Sequence, residues 1–65
     1  MRHYYFVEES TGEEFIVGAD SLVNAMVAAM DIAYDIAKHY DEEPSLSYKY
    51  EMTDDEAEAS GLDEY

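Results

Sequence analysis

The chain contains no cysteine, so neither a disulfide nor a thiolate metal site can stabilise it. His3 and His39 stand alone in the sequence, do not form a zinc-binding pattern and are expected on the surface. Its 65 residues suffice for one domain, residues 1–65, which buries only about 60% of its unfolded surface. Stability must therefore come from side-chain packing, alone or with help from a partner or a second copy.

Other patterns that would announce a specific function are missing too. No run of about 18 apolar residues exists and Met1–Tyr4 begins no signal-peptide core, so we expect a cytoplasmic protein with no membrane contact. There is no calcium-binding loop, no glycine-rich phosphate loop and no nucleophile elbow around any serine. We therefore expect no metal, no cofactor and no catalytic residue.

Basic residues are scarce: three Lys and Arg stand against seventeen Asp and Glu, which gives a formal charge of -14. Such a chain repels nucleic acid and anionic membranes and attracts basic surfaces, most strongly at low salt. Hydrophobic residues still make up 48% of the chain, including seven tyrosines. This composition predicts a folded domain rather than a disordered one.

Residues 3–17 form a predicted β-hairpin, because aromatic and β-branched residues flank the connection Ser10–Gly12. With Gly12 in the left-handed conformation, the register predicted for this connection pairs Val7 with Phe15 and Glu9 with Glu13. One face then carries Tyr5, Val7, Phe15 and Val17, and the other carries Tyr4, Phe6 and Ile16. A slip of one residue would exchange these faces.

The next segments predict a helix from Leu22 to Tyr40 and a strand from Ser45 to Met52. Asp20 or Ser21 is the expected N-cap, and Pro44 favours a break after the helix. One stripe of the helix carries Leu22, Met26, Ala29, Ala33, Ile36, Ala37 and Tyr40. The strand alternates, with Leu46, Tyr48, Tyr50 and Met52 on one face.

The last segment predicts a short helix over residues 54–60. Thr53 and Glu56 form a capping-box pattern, acidic residues occupy the first turn, and Gly61 is a stop signal. The whole pattern predicts an α+β fold of order ββαβα, in which a three-stranded antiparallel sheet of strand order 2-1-3 carries the long helix on one face. The other face would be left open, exposing Tyr4, Phe6 and Ile16.

The acidic residues cluster at the hairpin tip, after the long helix and on the last helix. They are Glu8, Glu9, Glu13, Glu14, Asp41, Glu42, Glu43, Asp54, Asp55, Glu56 and Glu58. Across the hairpin, like charges oppose one another and destabilise the fold. Two interpretations remain open: a carboxylate array that imitates the phosphates of a nucleic acid, or a solvated surface that only keeps the protein soluble.

In size, charge and αβ build, the chain resembles the small, strongly acidic DNA-mimic proteins of phages and mobile elements, of which the anti-CRISPR proteins directed at Cas9 are the best-known group. The segments Thr11–Phe15 and Gly61–Tyr65 also look like recurring features of short bacterial and phage proteins. The resemblance implies a target whose basic groove normally holds nucleic acid, such as the arginines with which a Cas9-type nuclease reads its recognition motif. It also implies action in the host cytoplasm.

The sequence thus leads to a hypothesis of a non-enzymatic inhibitor that binds a basic, nucleic-acid-binding protein and does not bind nucleic acid itself. The eleven carboxylates above would supply charge, and Tyr4 and Phe6 would anchor the contact. The alternative is a small homodimeric structural or regulatory module that pairs through the open sheet face. An enzyme would need a deep pocket with a perturbed carboxylate.

Overall fold

The chain folds into three strands and two helices, in a computed structural model that describes all residues, 1–65. The strands are β1 (Arg2–Glu8), β2 (Glu13–Ala19) and β3 (Leu46–Met52), and the helices are α1 (Leu22–His39) and α2 (Asp54–Ser60). This is the predicted α+β fold in the predicted order ββαβα. Neither helix combines the length and the hydrophobicity that crossing a bilayer would need.

The sheet has the strand order β2-β1-β3, with both pairs antiparallel, as predicted. β1 is central because the hairpin places β2 on one side of it, and α1 then carries the chain across to the other side. β3 is an edge strand, and the pairing between β1 and β3 shifts between Tyr5 and Phe6. Such irregularities make an edge strand a poorer template for pairing with another sheet.

The predicted hairpin register is wrong by one residue. Phe6 lies opposite Phe15, and Glu8 lies opposite Glu13, because the connection has four residues rather than three. Gly12 does adopt the predicted left-handed conformation, with φ of 79°, and its N–H donates to the carbonyl of Glu8 at 2.8 Å.

The one-residue difference reverses the faces of the hairpin. Tyr4 and Phe6, expected on an open face, are 2% and 0% exposed and pack under α1 with Phe15 and Val17. This register gathers four large side chains under the helix, and it stacks Phe6 on Phe15 with ring centroids 5.7 Å apart. The prediction that Tyr4 and Phe6 are exposed anchors is therefore wrong.

α1 packs on this face through its alanines. Ala25, Ala29, Ala33 and Ala37 are buried, whereas Leu22 and Met26 of the predicted stripe remain partly exposed. Small side chains let the helix approach the aromatic residues of the sheet closely, and close packing is favourable in a thin core. Ile32 and Ile36 also pack against this core, whereas the other large apolar residues of the helix lie toward solvent.

The second face of the sheet is covered as well, which corrects the expectation of an open face. Ala57 of α2 packs against Ile16 and Met52, and Tyr5 and Leu62 surround this smaller core. The segment after α2 then runs alongside β2 and pairs with it. The Ile16 N–H donates to the Asp63 carbonyl at 2.9 Å, and the Tyr65 N–H donates to the Ile16 carbonyl at 2.8 Å.

β3 contributes to both cores because its alternation is interrupted. Tyr50 pairs with Tyr5 and Tyr48 pairs with Phe6, which leaves Lys49 without a partner on β1. Leu46 and Tyr48 therefore face α1, while Tyr50 and Met52 face α2. The predicted single face for these four residues is wrong, because one unpaired residue reverses the side-chain direction of a strand.

Both ends of α1 are closed by local hydrogen bonds. Ser21 is the N-cap, and its side chain accepts from the Asn24 N–H at 3.2 Å. At the other end Asp41 adopts a left-handed conformation with φ of 57°, and the Glu42 N–H donates to the Ala37 carbonyl at 2.8 Å. This is the geometry of a Schellman motif, with aspartate where glycine is usual.

The buried hydroxyl of Tyr4 has no hydrogen-bond partner. An unsatisfied buried hydroxyl costs about 1–3 kcal/mol. We expect Tyr4→Phe to leave the free energy of unfolding unchanged or to raise it by about 1 kcal/mol, whereas Tyr4→Ala should lower it by about 3–5 kcal/mol. Urea denaturation of the variants measures this, with Tyr48→Phe on a partly exposed ring as the control. A loss of stability in Tyr4→Phe would show that the hydroxyl is satisfied.

Candidate functional site

Ten of the eleven acidic residues predicted to bind a partner are exposed. They lie in two groups, which we call the hairpin acidic end and the α2 acidic face. The hairpin acidic end contains Glu9, Glu13, Asp41, Glu42 and Glu43. The α2 acidic face contains Asp54, Asp55, Glu56 and Glu58 of α2, at the opposite end of the sheet, and Glu14 of β2, which lies on the same side of the sheet as α2 but pairs with Val7 near the hairpin turn. The eleventh residue, Glu8, is 0% exposed, which makes it unable to contact a partner.

The Glu8 carboxylate accepts five hydrogen bonds inside the protein. Oε1 accepts from the Ser10 hydroxyl at 2.5 Å, the Thr11 N–H at 3.0 Å and the Thr11 hydroxyl at 2.9 Å. Oε2 accepts from the Ser45 N–H at 2.7 Å and the Ser10 N–H at 3.4 Å. One carboxylate thus binds both the hairpin turn and the residue that precedes β3.

These donors set the ionisation of Glu8. Burial raises the pKa of the carboxyl, but the hydrogen bonds from Ser10, Ser45 and Thr11 outweigh burial and lower the pKa to about 2. Glu8 is therefore a structural anion. A signal for this existed in the sequence: Glu8 lies two residues before Ser10 and three before Thr11, so hydroxyl and N–H donors of the turn are within its reach.

The hairpin acidic end forms where the turn 9–12 meets the loop that follows α1. The Glu9 N–H donates to the Ser45 carbonyl at 2.7 Å, and the Tyr40 hydroxyl donates to Glu13 Oε1 at 3.3 Å. The hydrogen bonds from Ser47 and then Lys49 lower the pKa of Glu9. Asp41, Glu42 and Glu43 are exposed beside this turn, so carboxylates far apart in the sequence share one end of the molecule.

The α2 acidic face is held in place by a helix that is capped and docked. Thr53 accepts from the Glu56 N–H at 3.2 Å, and Glu56 Oε1 accepts from the Thr53 N–H at 2.9 Å, which completes the predicted capping box. Gly61 ends the helix with φ of 71°, as predicted. Because Ala57 is buried against the sheet, Asp54, Asp55 and Glu58 are held on the exposed sides of the helix.

Tyrosines accompany the carboxylates on this face. The Tyr5 hydroxyl donates to Glu14, and this hydrogen bond together with burial raises the pKa of Tyr5 to about 12. Tyr50 lies 5.1 Å from Tyr5 between ring centroids and is half exposed. Tyr50 is thus an exposed aromatic residue beside carboxylates, the combination that the sequence had assigned to Tyr4 and Phe6.

His3 links α2 to the segment that follows it. Its Nε2 lies 2.5 Å from Asp54 Oδ1, and its Nδ1 lies 2.5 Å from Glu64 Oε2. The hydrogen bond with Glu64, followed by that with Asp54, raises the pKa of His3. Sequence reasoning had treated His3 as an unengaged surface residue and missed this role, because both partners lie more than fifty positions away.

Few cations neutralise the exposed carboxylates. Besides the His3 pairs, the ion pairs are Lys49 with Glu9 at 3.2 Å and Arg2 with Glu51 at 3.8 Å, both on the surface. No three Asp, Glu or His side chains converge as a metal site. The surface depressions, of about 320 and 310 Å³, are open, and Glu13 and Tyr40 line both.

Replacing Glu8 by glutamine should lower stability in a pH-dependent way. The pKa of Glu8 is lower in the folded state than its ordinary value of 4.5, so the ionised carboxylate stabilises the fold above pH 4.5. We expect Glu8→Gln to lower the free energy of unfolding by about 2–3 kcal/mol near neutral pH, because the amide nitrogen cannot accept from these donors. This difference should shrink as the pH falls from 4.5 toward 2.

Urea denaturation of both proteins over this pH range measures the difference. Glu13→Gln is the matched control, because Glu13 lies directly opposite Glu8 and is exposed. It should change stability by no more than about 0.5 kcal/mol. Equal effects of the two substitutions would mean that the Glu8 hydrogen bonds do not support the fold.

His3 should make the docking of the segment after α2 weaken as the pH rises, whereas the stabilisation by Glu8 is lost as the pH falls. Its folded-state pKa is raised above 6.5, so its stabilisation is complete below pH 6.5 and is lost as pH rises through the folded-state pKa. Hydrogen-exchange protection of the Gly18 N–H, which donates to the Tyr65 carbonyl, should fall over this range. His3→Gln should abolish that pH dependence and His39→Gln should preserve it; an unchanged profile in His3→Gln would contradict the role of His3.

Searches of protein-family models, curated proteins and solved structures find no match to this chain.

Proposed function

We propose that this protein is a non-enzymatic inhibitor that binds a basic protein surface and competes there with nucleic acid. The observation that carries the proposal is the α2 acidic face. Four of its five carboxylates project from a helix that is both capped and docked, and His3 is the only cationic partner found for any of the five. An ordered set of carboxylates with little neutralisation attracts basic surfaces and loses little conformational entropy on binding.

The spacing of the two acidic groups supports competition with nucleic acid. α2 begins beyond the end of β3 that pairs with His3, whereas the hairpin acidic end lies beyond Glu8 at the other end of β1. The seven residues of β1 separate these ends by about 20 Å. Duplex DNA presents about a dozen phosphates over that length. Ten exposed carboxylates thus span a length and a charge comparable to a short stretch of duplex.

Glu8, Tyr4 and Phe6 have no part in this proposal, because all three are buried. Their place as an aromatic anchor is taken by Tyr50, which is half exposed on the same side of the sheet as α2. A tyrosine beside carboxylates suits a partner surface rich in arginine, since arginine both pairs with carboxylates and stacks on aromatic rings.

The partner that fits this surface is a cytoplasmic enzyme whose basic groove normally holds nucleic acid. The resemblance to small acidic proteins of phages and mobile elements favours the same class, and a CRISPR-Cas nuclease is one example of it. Binding would place Asp55 and Glu58 against arginines and lysines that otherwise contact phosphates. Nucleic acid and this protein would then exclude one another.

Neutralising the α2 acidic face should weaken partner capture. The double variant Asp55→Asn/Glu58→Gln removes two charges without touching the Thr53–Glu56 capping box or the Asp54 contact with His3. We expect affinity to fall roughly tenfold, at about 0.5–1 kcal/mol for each exposed pair. Immobilised protein is incubated with nuclease-treated cell extract, eluted in salt steps, and the affinity for each recovered partner is then measured.

The matched control is Asp31→Asn/Asp35→Asn, which removes the same charge from the exposed side of α1. It should bind nearly as well as the natural protein. Added DNA should displace the partner, and elution should occur at low salt. A partner that binds DNA and this protein at once, or equal losses in both variants, would contradict the proposal.

A further inference from the structure

An apolar stripe runs along the solvent side of α1. Val23, Val27, Met30 and Tyr34 are 73%, 62%, 61% and 53% exposed, and Leu22 and Met26 beside them are partly exposed. Together these side chains expose on the order of 500 Å² of mainly apolar surface, at the upper end of what a soluble monomer shows. The stripe lies on α1, on the opposite side of the sheet from the α2 acidic face.

The spacing of the stripe is that of a helix–helix seam. Its four residues follow one another at intervals of four, three and four, which is the a/d pattern of paired helices. The alanines that pack on the sheet occupy a different side of the same helix. α1 therefore has one side for the core and a second side with the periodicity of a partner helix, and the chain's own α2 is docked elsewhere.

We propose that the stripe is the interface of a homodimer in which α1 pairs antiparallel with α1 of a second copy. A two-fold antiparallel pair centred between Val27 and Met30 sets Val27 of each copy against Met30 of the other. It likewise sets Val23 against Tyr34. Each layer then joins a β-branched residue to a long side chain, so the same seam is self-complementary.

Charge selects the antiparallel direction. Asp41, Glu42 and Glu43 follow the carboxyl end of α1, so a parallel pair would bring two acidic loops together. An antiparallel pair places them at opposite ends of the dimer, each near the positive N-terminal end of the other helix. It also brings Lys38, in the last turn of one helix, toward Asp20, just before the other.

Charge also determines how the dimer responds to salt. Each copy carries a formal charge of -14, so two copies repel at long range. The Debye length falls from about 10 Å at 0.1 M salt to about 3 Å at 1 M, which screens this repulsion while the apolar contact remains. Dimerisation should therefore strengthen with salt. Binding to a basic partner should weaken with salt, so the two interactions can be tested separately.

Sedimentation equilibrium of the whole chain tests the dimer. At about 1 M salt and protein concentrations up to about 1 mM, we expect a species of twice the 7.4 kDa chain mass. The dissociation constant of the dimer should be at least tenfold lower at about 1 M salt than at about 0.1 M. A monomer at every concentration and salt, or an association that weakens with salt, would overturn the proposal.

Two substitutions of equal charge locate the interface. Val27→Glu should weaken dimerisation at least tenfold, because it buries a carboxylate in the seam. Asn24→Glu adds the same charge to an exposed, polar position of α1 and should change the dissociation constant less than threefold. Both positions are exposed, and glutamate favours helices, so circular dichroism should show folded proteins. Equal effects of the two substitutions would overturn the assignment of the seam.

A charge exchange tests the direction of pairing. Lys38→Asp should weaken the dimer, since it places two aspartates together, and adding Asp20→Lys in the same chain should restore it. In a parallel pair the two positions lie at opposite ends of the dimer and no rescue is expected, so the absence of rescue would overturn the antiparallel arrangement. Failure of the dimer leaves the partner assay of the α2 acidic face unaffected, because that assay uses different residues and the opposite dependence on salt.

Discussion

The buried carboxylate of Glu8 is the interaction on which the hairpin acidic end depends. It binds donors from the turn 9–12 and from Ser45, which precedes β3, so one ion joins the two segments that flank the central strand. A chain without disulfides or metal, and with a thin core, gains from such a polar cross-link. The Glu8 carboxylate stays ionised although the protein already carries excess negative charge. Its five hydrogen bonds act at short range, whereas the repulsion comes from exposed carboxylates that water and salt screen.

The elements and their order could be predicted from the sequence because each is marked by local signals. The capping box Thr53–Glu56, the stop at Gly61 and the left-handed Gly12 depend on neighbouring residues only, and all three predictions are confirmed. The predicted strand order rested on the helix between the hairpin and β3, which reverses the chain so that β3 can pair antiparallel with β1.

The faces of the sheet could not be predicted in the same way. They depend on whether the hairpin connection has three or four residues and on one unpaired residue in β3, and either changes the direction of every following side chain. The four-residue turn is favoured by Glu8 through bonds to Ser10 and Thr11, and by the burial of Tyr4 and Phe6 under α1. The His3 contacts, and the burial of α2 through Ala57, likewise require knowledge of which distant segments meet.

The two helices give the molecule two different surfaces. α2 presents carboxylates on one side of the sheet, and α1 presents the apolar stripe on the other. Antiparallel pairing through α1 would leave both acidic faces of a dimer outward, so that one particle could engage two basic sites. Screening by salt would weaken the binding of a basic partner to the α2 acidic face and would strengthen dimerisation through the apolar stripe.

The central claim is that the buried Glu8 carboxylate is ionised and supports the hairpin, whereas the other ten carboxylates are exposed. It is tested most directly by following the Glu8 side-chain carboxyl carbon by NMR as the protein is acidified. We predict a transition with a pKa of about 2. A transition at or above the ordinary value of 4.5 in the folded protein would contradict the account.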